Sequence, residues 1–421
     1  MAVPSLEQRK EHLCRYPFMG LVMNPLGHAT VCCRAKSNWD LIDSHHIEKI
    51  DDLTDFYNGS YHNNLRKAFL KDAWSGLKEC SECSGQEACG ARSGRIESWD
   101  SKIYENRHFE EDYEAWERGE RIPVRYLEFT MSNMCNQQCS TCSSFYSTRW
   151  KSLDQKFGRE VHDTTRLSEE SVQKMMDLLP DLDVLTIKGG EPFADPNNQR
   201  LLKRLQEVNP TCWVHFVSNM QSIREDWWPV LEEISASAPD DFFRLSIAAS
   251  IDGIDDSYNW IRGGNFEKAM ASIHRYHEVT GRQVVINTCI SIYNIFGCAE
   301  IYERLAHDPA VLLVLYHNVT TGPEWITVNN LSQEVYDAAV EEQCRRIAAV
   351  ENPTVAVEVD GLKSFKVPDD FDHSERMWAF MDQMNAVRGY SIEDCMPGLK
   401  AYRESTVGLG PLPSEVVEAH V

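Results

Sequence analysis

The sequence lacks long apolar runs. Nowhere in its 421 residues does a stretch reach the roughly 18 apolar side chains that a transmembrane helix needs. The first residues, MAVPSLEQRKEHL, also lack the apolar core of a signal peptide. Basic side chains are few, with 42 Lys and Arg against 65 Asp and Glu and a formal net charge of −23. Non-specific binding along nucleic acid needs cations that replace counterions and is not expected. We expect a cytoplasmic protein without membrane association.

Cysteine is abundant, with 14 residues in the chain. Without an export signal these thiols are expected to stay reduced, and clustered reduced cysteines indicate metal or redox chemistry. Five of them stand singly and are expected to be small buried side chains: Cys212, Cys289, Cys298, Cys344 and Cys395. The other nine form two sets.

The tighter set directly follows a predicted strand, in the segment YLEFTMSNMCNQQCSTC. Cys135, Cys139 and Cys142 have the spacing Cys-x3-Cys-x2-Cys. Three thiolates this close can hold one corner of a cubic iron–sulfur cluster and leave one iron open to a ligand. They cannot complete the four-coordination of zinc alone, and no histidine lies nearby in the sequence. A zinc site completed by a distant cysteine is the alternative.

A second motif follows a second predicted strand, in VLTIKGGEPF. Gly189 and Gly190 let the backbone approach a ligand closely, and Glu191 can accept charge-assisted hydrogen bonds from an ammonium group. CNQQCSTC and this GGEP turn together resemble the motifs of the radical S-adenosylmethionine (SAM) superfamily. The resemblance implies a [4Fe–4S] cluster on the three cysteines, and SAM whose amino group is held by the GGEP turn.

From about residue 124, short apolar runs alternate with amphipathic stretches, which predicts parallel βα units. The predicted strands are residues 126–130, 184–188, 213–218, 244–250, 283–290 and 311–316. The resemblance implies that these units form a partial (β/α)6 TIM-like barrel of the α/β class. The chemistry of such barrels sits at the carboxyl ends of the strands.

The segment ASIDGIDDSYNWIRGGNFEKA, residues 249–269, resembles a stretch of superfamily members that carry SPASM or twitch domains. The resemblance implies that Ser250 contacts the SAM ribose and that Arg262 contacts the SAM carboxylate, for which a guanidinium fork is suited. The residues alone leave two alternatives open. Ser250 is also consistent with a hydroxyl that caps local backbone, and Arg262 with a solvated residue at the start of a helix.

The wider cysteine set occupies the N-terminal part of the chain. Cys14, Gly27 and Cys32 precede a Cys-x2-Cys pair, Cys80 and Cys83. This order of a cysteine, a hairpin glycine, a second cysteine and a close pair resembles the SPASM and twitch auxiliary domains of the superfamily. The resemblance implies one auxiliary [4Fe–4S] cluster on the four cysteines. Geometry alone equally allows a structural zinc site on the same thiolates.

Two further features of this set bear on the ligand assignment. A complete SPASM domain has another cysteine at the position of Ser93, so the set is closer to a twitch domain with one cluster. Cys33 and Cys89 are alternative ligands. The auxiliary domain here precedes the barrel, whereas in the familiar members of the superfamily it follows.

The length predicts two or three domains. We expect a small α+β hairpin-type auxiliary domain, a charged linker helix, the barrel, and a mostly helical C-terminal extension with a frayed Pro/Gly-rich end. Their predicted ranges are residues 1–97, 98–123, 124–320 and 321–421.

The resemblance implies a radical SAM oxidoreductase. Such an enzyme reductively cleaves SAM to a 5′-deoxyadenosyl radical, which abstracts hydrogen from a peptide or small-molecule substrate. An auxiliary cluster favours net oxidation or crosslinking, with electrons from a reductant such as flavodoxin or ferredoxin. A non-catalytic iron–sulfur protein for electron transfer and a zinc-binding interaction module are the alternatives.

The strand pattern also predicts a polar pair. Period-two alternation places Tyr126, Glu128 and Thr130 on one face of the first strand, and Thr186 and Lys188 on one face of the second. Because barrel strands are buried on both faces, a charge there must be paired or must face the lumen. Glu128 and Lys188 are therefore expected to line the barrel lumen as a pair from neighbouring strands. The alternative is that Lys188 extends to the rim beside the GGEP turn.

Overall fold

The computed structural model describes residues 12–35, 45–88, 93–100, 107–163, 166–320, 322–368, 371 and 373–406. The strands are β1 (Gly20–Met23), β2 (Ala29–Thr30), β3 (Tyr126–Phe129), β4 (Val184–Ile187), β5 (Trp213–Ser218), β6 (Leu245–Ser250), β7 (Val284–Ile290), β8 (Val311–Val319) and β9 (Ala356–Glu358).

The helices up to the middle of the chain are α1 (Tyr16–Met19), α2 (Leu53–Tyr57), α3 (Ser60–Leu70), α4 (Ser81–Ala88), α5 (Gly94–Asp100), α6 (Phe109–Glu117), α7 (Lys151–Lys156), α8 (Glu169–Met176), α9 (Pro196–Val208) and α10 (Trp228–Ala236). Those that follow are α11 (Asp255–Arg262), α12 (Phe266–Thr280), α13 (Ala299–Leu305), α14 (Gln333–Ala348), α15 (Asp360–Ser364), α16 (Ser374–Arg388), α17 (Ile392–Cys395) and α18 (Pro397–Thr406).

The described residues belong to two compact units. The first lies within Met1–Met134, Thr164–Val217 and Asp226–Ser246, and the second within Cys135–Asp163, Ser218–Glu225 and Ile247–Val421. In the first unit the strand order is β2-β1-β3-β4-β5. In the second, β6, β7, β8 and β9 follow one another in parallel pairs. In both units helices connect the parallel strands, as βα units require.

The N-terminal hairpin has a local cause. Gly27 has a φ of +83°, a conformation that glycine adopts readily, and its N–H donates to the carbonyl of Asn24 at 3.0 Å. This turn lets β2 return antiparallel to β1, so the predicted hairpin is confirmed. The other edge of β1 pairs in parallel with β3, with Gly20 opposite Tyr126. The hairpin therefore extends the same sheet as the first predicted barrel strands.

A hydrophobic core lies under this hairpin and joins it to the helices that follow. Phe18 and Phe69 are among its buried side chains, and Tyr126 of β3 belongs to it as well. Burial of such aromatic side chains contributes roughly 1.5–3 kcal/mol each. The N-terminal segment is thus held by apolar packing as well as by strand pairing.

The predicted fold class is confirmed: the chain is a mixed α/β protein with parallel strands, as in a partial TIM-like barrel, and with a helical C-terminal extension. All six predicted strands are present, and the largest difference is that β8 continues to Val319. Strand β9 was not predicted because its three residues are largely exposed and show no apolar alternation.

The predicted domain boundaries remain predictions. The predicted frayed end from residue 407 lies outside the described residues. In the part of the chain that the structure describes, no helix combines the length and the apolar character needed to cross a membrane.

Candidate functional site

The Cys135–Cys142 loop brings three thiols together in the second unit. Cys139 is buried, and Cys135 and Cys142 are half-buried. The N–H of Cys142 donates to the carbonyl of Cys139 at 3.0 Å. Burial raises the pKa of Cys142 well above that of an ordinary thiol, and the neighbouring Cys139 and Cys135 raise it further. Cys139 and Cys135 are therefore electrostatic neighbours of the enclosed Cys142 thiol.

Helix α11 holds this loop from one side. The N–H of Ser140 donates to the carbonyl of Ile261 at 2.6 Å, and its hydroxyl donates to the carbonyl of Trp260 at 3.0 Å. The indole N–H of Trp150 donates to the carbonyl of Cys139 at 2.8 Å. The side-chain amide of Asn219 lies 3.7 Å from the sulfur of Cys135. The loop has no regular secondary structure, so these contacts determine its conformation.

Arg262, the last residue of α11, lies beside the loop with only 12% of its side chain exposed. Its guanidinium forms an ion pair with Asp252 at 2.9 Å. Burial lowers the pKa of Arg262, but the neighbouring Cys139 and Asp252 outweigh this effect and raise it well above the ordinary value. Its Nε is buried and has no hydrogen-bond partner among the described residues. An unused cationic donor therefore lies next to the three thiols, as a site for a carboxylate ligand requires.

Ser250 is the last residue of β6, where it lies opposite Asn287 of β7 in the parallel register. Its side chain is half-buried. It is thus at the carboxyl end of a strand, as predicted, in the same unit as the three cysteines and Arg262.

The GGEP turn lies in the first unit, directly after β4 and Lys188. Gly190 has a φ of +40°, and a Cβ there would stand 2.3 Å from the carbonyl oxygen of Met134. A Cβ at Gly189, with φ +76°, would stand 2.1 Å from the side chain of Thr130. Both positions therefore exclude any larger residue, because the turn packs directly against the chain that leads into the cysteine loop.

Glu191 completes this contact. Its N–H donates to the carbonyl of Met134 at 2.7 Å, and its carboxylate accepts the N–H of Phe193 at 3.2 Å. The side chain is buried. The GGEP turn is thus joined by a hydrogen bond to the residue that directly precedes Cys135.

The N-terminal cysteines meet at one pocket in the first unit. Cys14, Cys32, Cys80 and Cys83 all line it, together with Trp74 and other side chains. Burial raises the pKa of Cys80 to about 12, with a further contribution from Cys83. No three Cys, His, Asp or Glu side chains within the described ranges form a group that could hold a metal ion. This finding applies to the four thiols of the pocket and equally to Cys135, Cys139 and Cys142.

The alternative ligands differ from these four. Cys33 does not line the pocket. Burial raises its pKa to about 11, with Glu128 and Lys188 as its next electrostatic neighbours. Cys32 and Cys33 therefore face different surroundings although they are adjacent. Cys89 lies outside the described residues.

Arg388 contacts the cysteine loop, and the sequence analysis did not predict this contact. It ends helix α16, and its guanidinium donates to the carbonyls of Gln138 and Trp260. Gly389 follows with φ +82° and ends the helix in the left-handed conformation. The Arg388-Gly389 pair indicates a helix end in the sequence. No sequence pattern indicates that Arg388 contacts Gln138, which lies 250 residues away in the chain.

Comparison with known proteins adds a family assignment for part of the chain. Residues 129–297 match the family model of the Radical SAM superfamily, which is less than half of the chain. No curated protein sequence matches the chain significantly.

Among solved structures, SuiB of Streptococcus suis shares 12% identity over 70% of this chain and 62% of its own, with a TM-score of 0.41. A radical SAM methyltransferase from Sphaerobacter thermophilus shares 15% identity over 54% of this chain and 64% of its own, with a TM-score of 0.35. The chain thus spans less than two thirds of either length. Because both TM-scores are below 0.5, these likenesses carry no conclusion about activity. The match to the Radical SAM superfamily model over residues 129–297 includes the cysteine triplet and the GGEP turn.

Proposed function

We propose that the chain is a radical SAM oxidoreductase in which Cys135, Cys139 and Cys142 hold a [4Fe–4S] cluster. The observation that carries the proposal is the Arg262 guanidinium, which lies beside Cys139 and Cys142 and whose Nε has no hydrogen-bond partner among the described residues. The donor set fits a cluster with one open iron, because it supplies three sulfur ligands and leaves the fourth position for SAM.

The residues for SAM would come from two segments. Gly189, Gly190 and Glu191 form a turn that no side chain larger than glycine fits, and the Glu191 carboxylate would take the ammonium group. Ser250 would contact the ribose, and Arg262 the carboxylate. When bound, the cluster and SAM supply a 5′-deoxyadenosyl radical that abstracts a hydrogen atom from the substrate.

The chain's own residues would orient these groups. Asp252 holds the Arg262 guanidinium in place through the 2.9 Å ion pair, and its other carboxylate oxygen accepts the N–H of Cys289 at 2.8 Å. Asp252 is fully buried. Arg262 is therefore fixed before any ligand arrives, which lowers the entropic cost of binding.

An auxiliary [4Fe–4S] cluster on Cys14, Cys32, Cys80 and Cys83 is part of the proposal. It is supported by the single pocket that these four residues line. A structural zinc site on the same four thiolates is the alternative.

The proposed reaction is net oxidation or crosslinking of a peptide or small molecule, since a second cluster can accept the electron that remains on the substrate. A small electron-transfer protein such as flavodoxin or ferredoxin would supply the electron that starts the cycle.

Anaerobic reconstitution with iron and sulfide tests the proposal. We expect about eight iron and eight sulfide per chain, as two cubane clusters require, and formation of 5′-deoxyadenosine from SAM with dithionite. Iron–sulfur incorporation without 5′-deoxyadenosine would favour the electron-transfer protein instead. Purification with zinc and no capacity for iron would favour the interaction module.

A further inference from the structure

A polar row crosses the sheet of the first unit. Glu128 of β3 lies opposite Thr186 of β4, and Thr186 lies opposite His215 of β5 in the parallel register. Side chains at paired positions of neighbouring strands project from the same face of the sheet. Three hydrogen-bonding side chains are therefore adjacent on one face, where apolar residues are the rule for parallel strands.

Lys188 adds a fourth polar group to this row. Its ammonium forms an ion pair with Glu128, and the hydroxyl of Tyr126 donates to the other oxygen of Glu128 at 2.7 Å. The carboxylate is buried, whereas 32% of the Lys188 side chain is exposed. The pair is electrically neutral, so neither an anion nor a cation has a net attraction to it.

The row contains unused hydrogen-bonding capacity. Thr186 is 4% exposed, and its hydroxyl has no partner among the described residues. Nδ1 of His215 shares a hydrogen bond with the hydroxyl of Ser246 at 2.9 Å, and Nε2 has no partner in the described part of the protein. A buried hydroxyl without a partner destabilises the protein, so a ligand that satisfies it gains affinity.

His215 is enclosed and yet reachable by solvent. Burial lowers its pKa to about 4, although its side chain remains partly accessible. At neutral pH its ring is uncharged and offers one N–H donor and one acceptor nitrogen.

We propose that Glu128, Thr186, His215 and Lys188 form a binding subsite for an uncharged hydrogen-bonding group of the substrate, a hydroxyl or an amide. The inference rests on the proposed function, because it takes this subsite to hold the molecule that the radical chemistry modifies. A neutral group suits a site whose two charges cancel and whose remaining groups are neutral. A carboxylate or ammonium group would face a like charge at Glu128 or Lys188.

Binding of small probes tests the subsite without catalysis. The full-length chain, labelled with 15N-histidine, is titrated with the N-acetyl amides of serine, aspartate and lysine. The His215 ring signals are assigned by their loss in His215→Gln. We expect the serine derivative to shift these signals, and the two charged derivatives to shift them only at much higher concentration.

Thr186→Val provides the second measurement, because it removes the hydroxyl and keeps the shape of the side chain. We expect it to weaken binding of the serine derivative about fivefold, as loss of one neutral hydrogen bond predicts. Thr211→Val, at an exposed site of the same unit, is the matched control and should leave the affinity unchanged.

The inference is overturned if the serine derivative leaves the His215 signals in place, if a charged derivative binds as tightly, or if Thr186→Val has no effect. This titration detects binding and not SAM cleavage. Its failure would therefore leave the proposed function standing, and absence of 5′-deoxyadenosine in the reconstitution would leave the subsite standing.

Discussion

Lys188 and Glu128 form an ion pair inside the first unit, between the residue that follows β4 and a central residue of β3. The sequence predicted this pair from strand periodicity alone, and it is confirmed. The same geometry places Glu128 in register with Thr186 and His215, so the pair belongs to a larger polar row.

Removal of Lys188 should destabilise the protein. Lys188→Met leaves the buried Glu128 carboxylate without its cation, and we expect a loss of about 3 kcal/mol in the free energy of unfolding. The value is at the low end for buried pairs because the ammonium is about one-third exposed. Chemical denaturation measures it.

Two controls accompany this variant. Lys203→Met, at an exposed position of α9, should change stability by less than about 0.5 kcal/mol. Glu128→Gln combined with Lys188→Met should recover much of the loss, because no buried charge then remains unpaired. Equal losses in the single and double variants would contradict the pairing argument.

Substitution of the three loop cysteines should remove one cluster. The triple variant Cys135→Ala, Cys139→Ala, Cys142→Ala is expected to lose about half of the reconstituted iron and all 5′-deoxyadenosine formation. The matched control is Cys344→Ala with Cys395→Ala, two half-buried thiols elsewhere in the second unit. Formation of 5′-deoxyadenosine by the triple variant would refute the assignment.

Substitutions of the adjacent residues Cys32 and Cys33 should have different effects on the iron content. Cys32 lines the pocket with Cys14, Cys80 and Cys83, whereas Cys33 does not. Cys32→Ala should therefore reduce the iron content to about half, if each site holds one cubane cluster, and Cys33→Ala should leave it unchanged. Iron and sulfide analysis after anaerobic reconstitution compares the two. Equal iron contents would mean that the pocket does not hold the auxiliary cluster.

A methyl group at Gly190 should disrupt the GGEP turn. It would lie 2.3 Å from the Met134 carbonyl at a φ of +40°, so the turn and the segment leading to Cys135 must separate. We expect Gly190→Ala to lower the unfolding free energy by about 2–4 kcal/mol and to weaken SAM binding. At Gly76 an added Cβ meets nothing within 4 Å, and Gly76→Ala should be close to neutral. A Gly190→Ala protein with unchanged stability and SAM affinity would contradict the close approach.

The His215 ring should remain neutral through most of the acidic range. Burial lowers its pKa to about 4 in the folded protein, against about 6.5 in the unfolded chain. The unfolded state thus binds the proton more readily, so this residue's contribution to stability is complete above pH 6.5 and is lost as the pH falls towards 4.

NMR of 15N-histidine-labelled protein measures the protonation state of the His215 ring directly. The His215 signals should keep their neutral positions at pH 5.5, and the same ring in the urea-unfolded chain should be mostly protonated. Titration of the folded ring near 6.5 would show that His215 is not enclosed in the polar row.

The sequence by itself determined the features that depend on local pattern. Strand periodicity located β3 to β8 and the Glu128–Lys188 pair. The spacing of Cys135, Cys139 and Cys142 predicted that their thiols lie together, because few residues separate them. The resemblance to the SPASM pattern implied a hairpin turn at Gly27, whose φ of +83° is a local property of the chain.

Only the tertiary structure decided which distant segments meet. It places Arg388 of the C-terminal extension on the carbonyls of Gln138 and Trp260, and it pairs β1 with β3 across the intervening helices. It also separates Cys32 from Cys33, one lining the thiol pocket and the other near the Glu128–Lys188 pair. Such contacts depend on the packing of whole helices and strands, whose free energies are summed over many side chains. No short stretch of sequence carries that information.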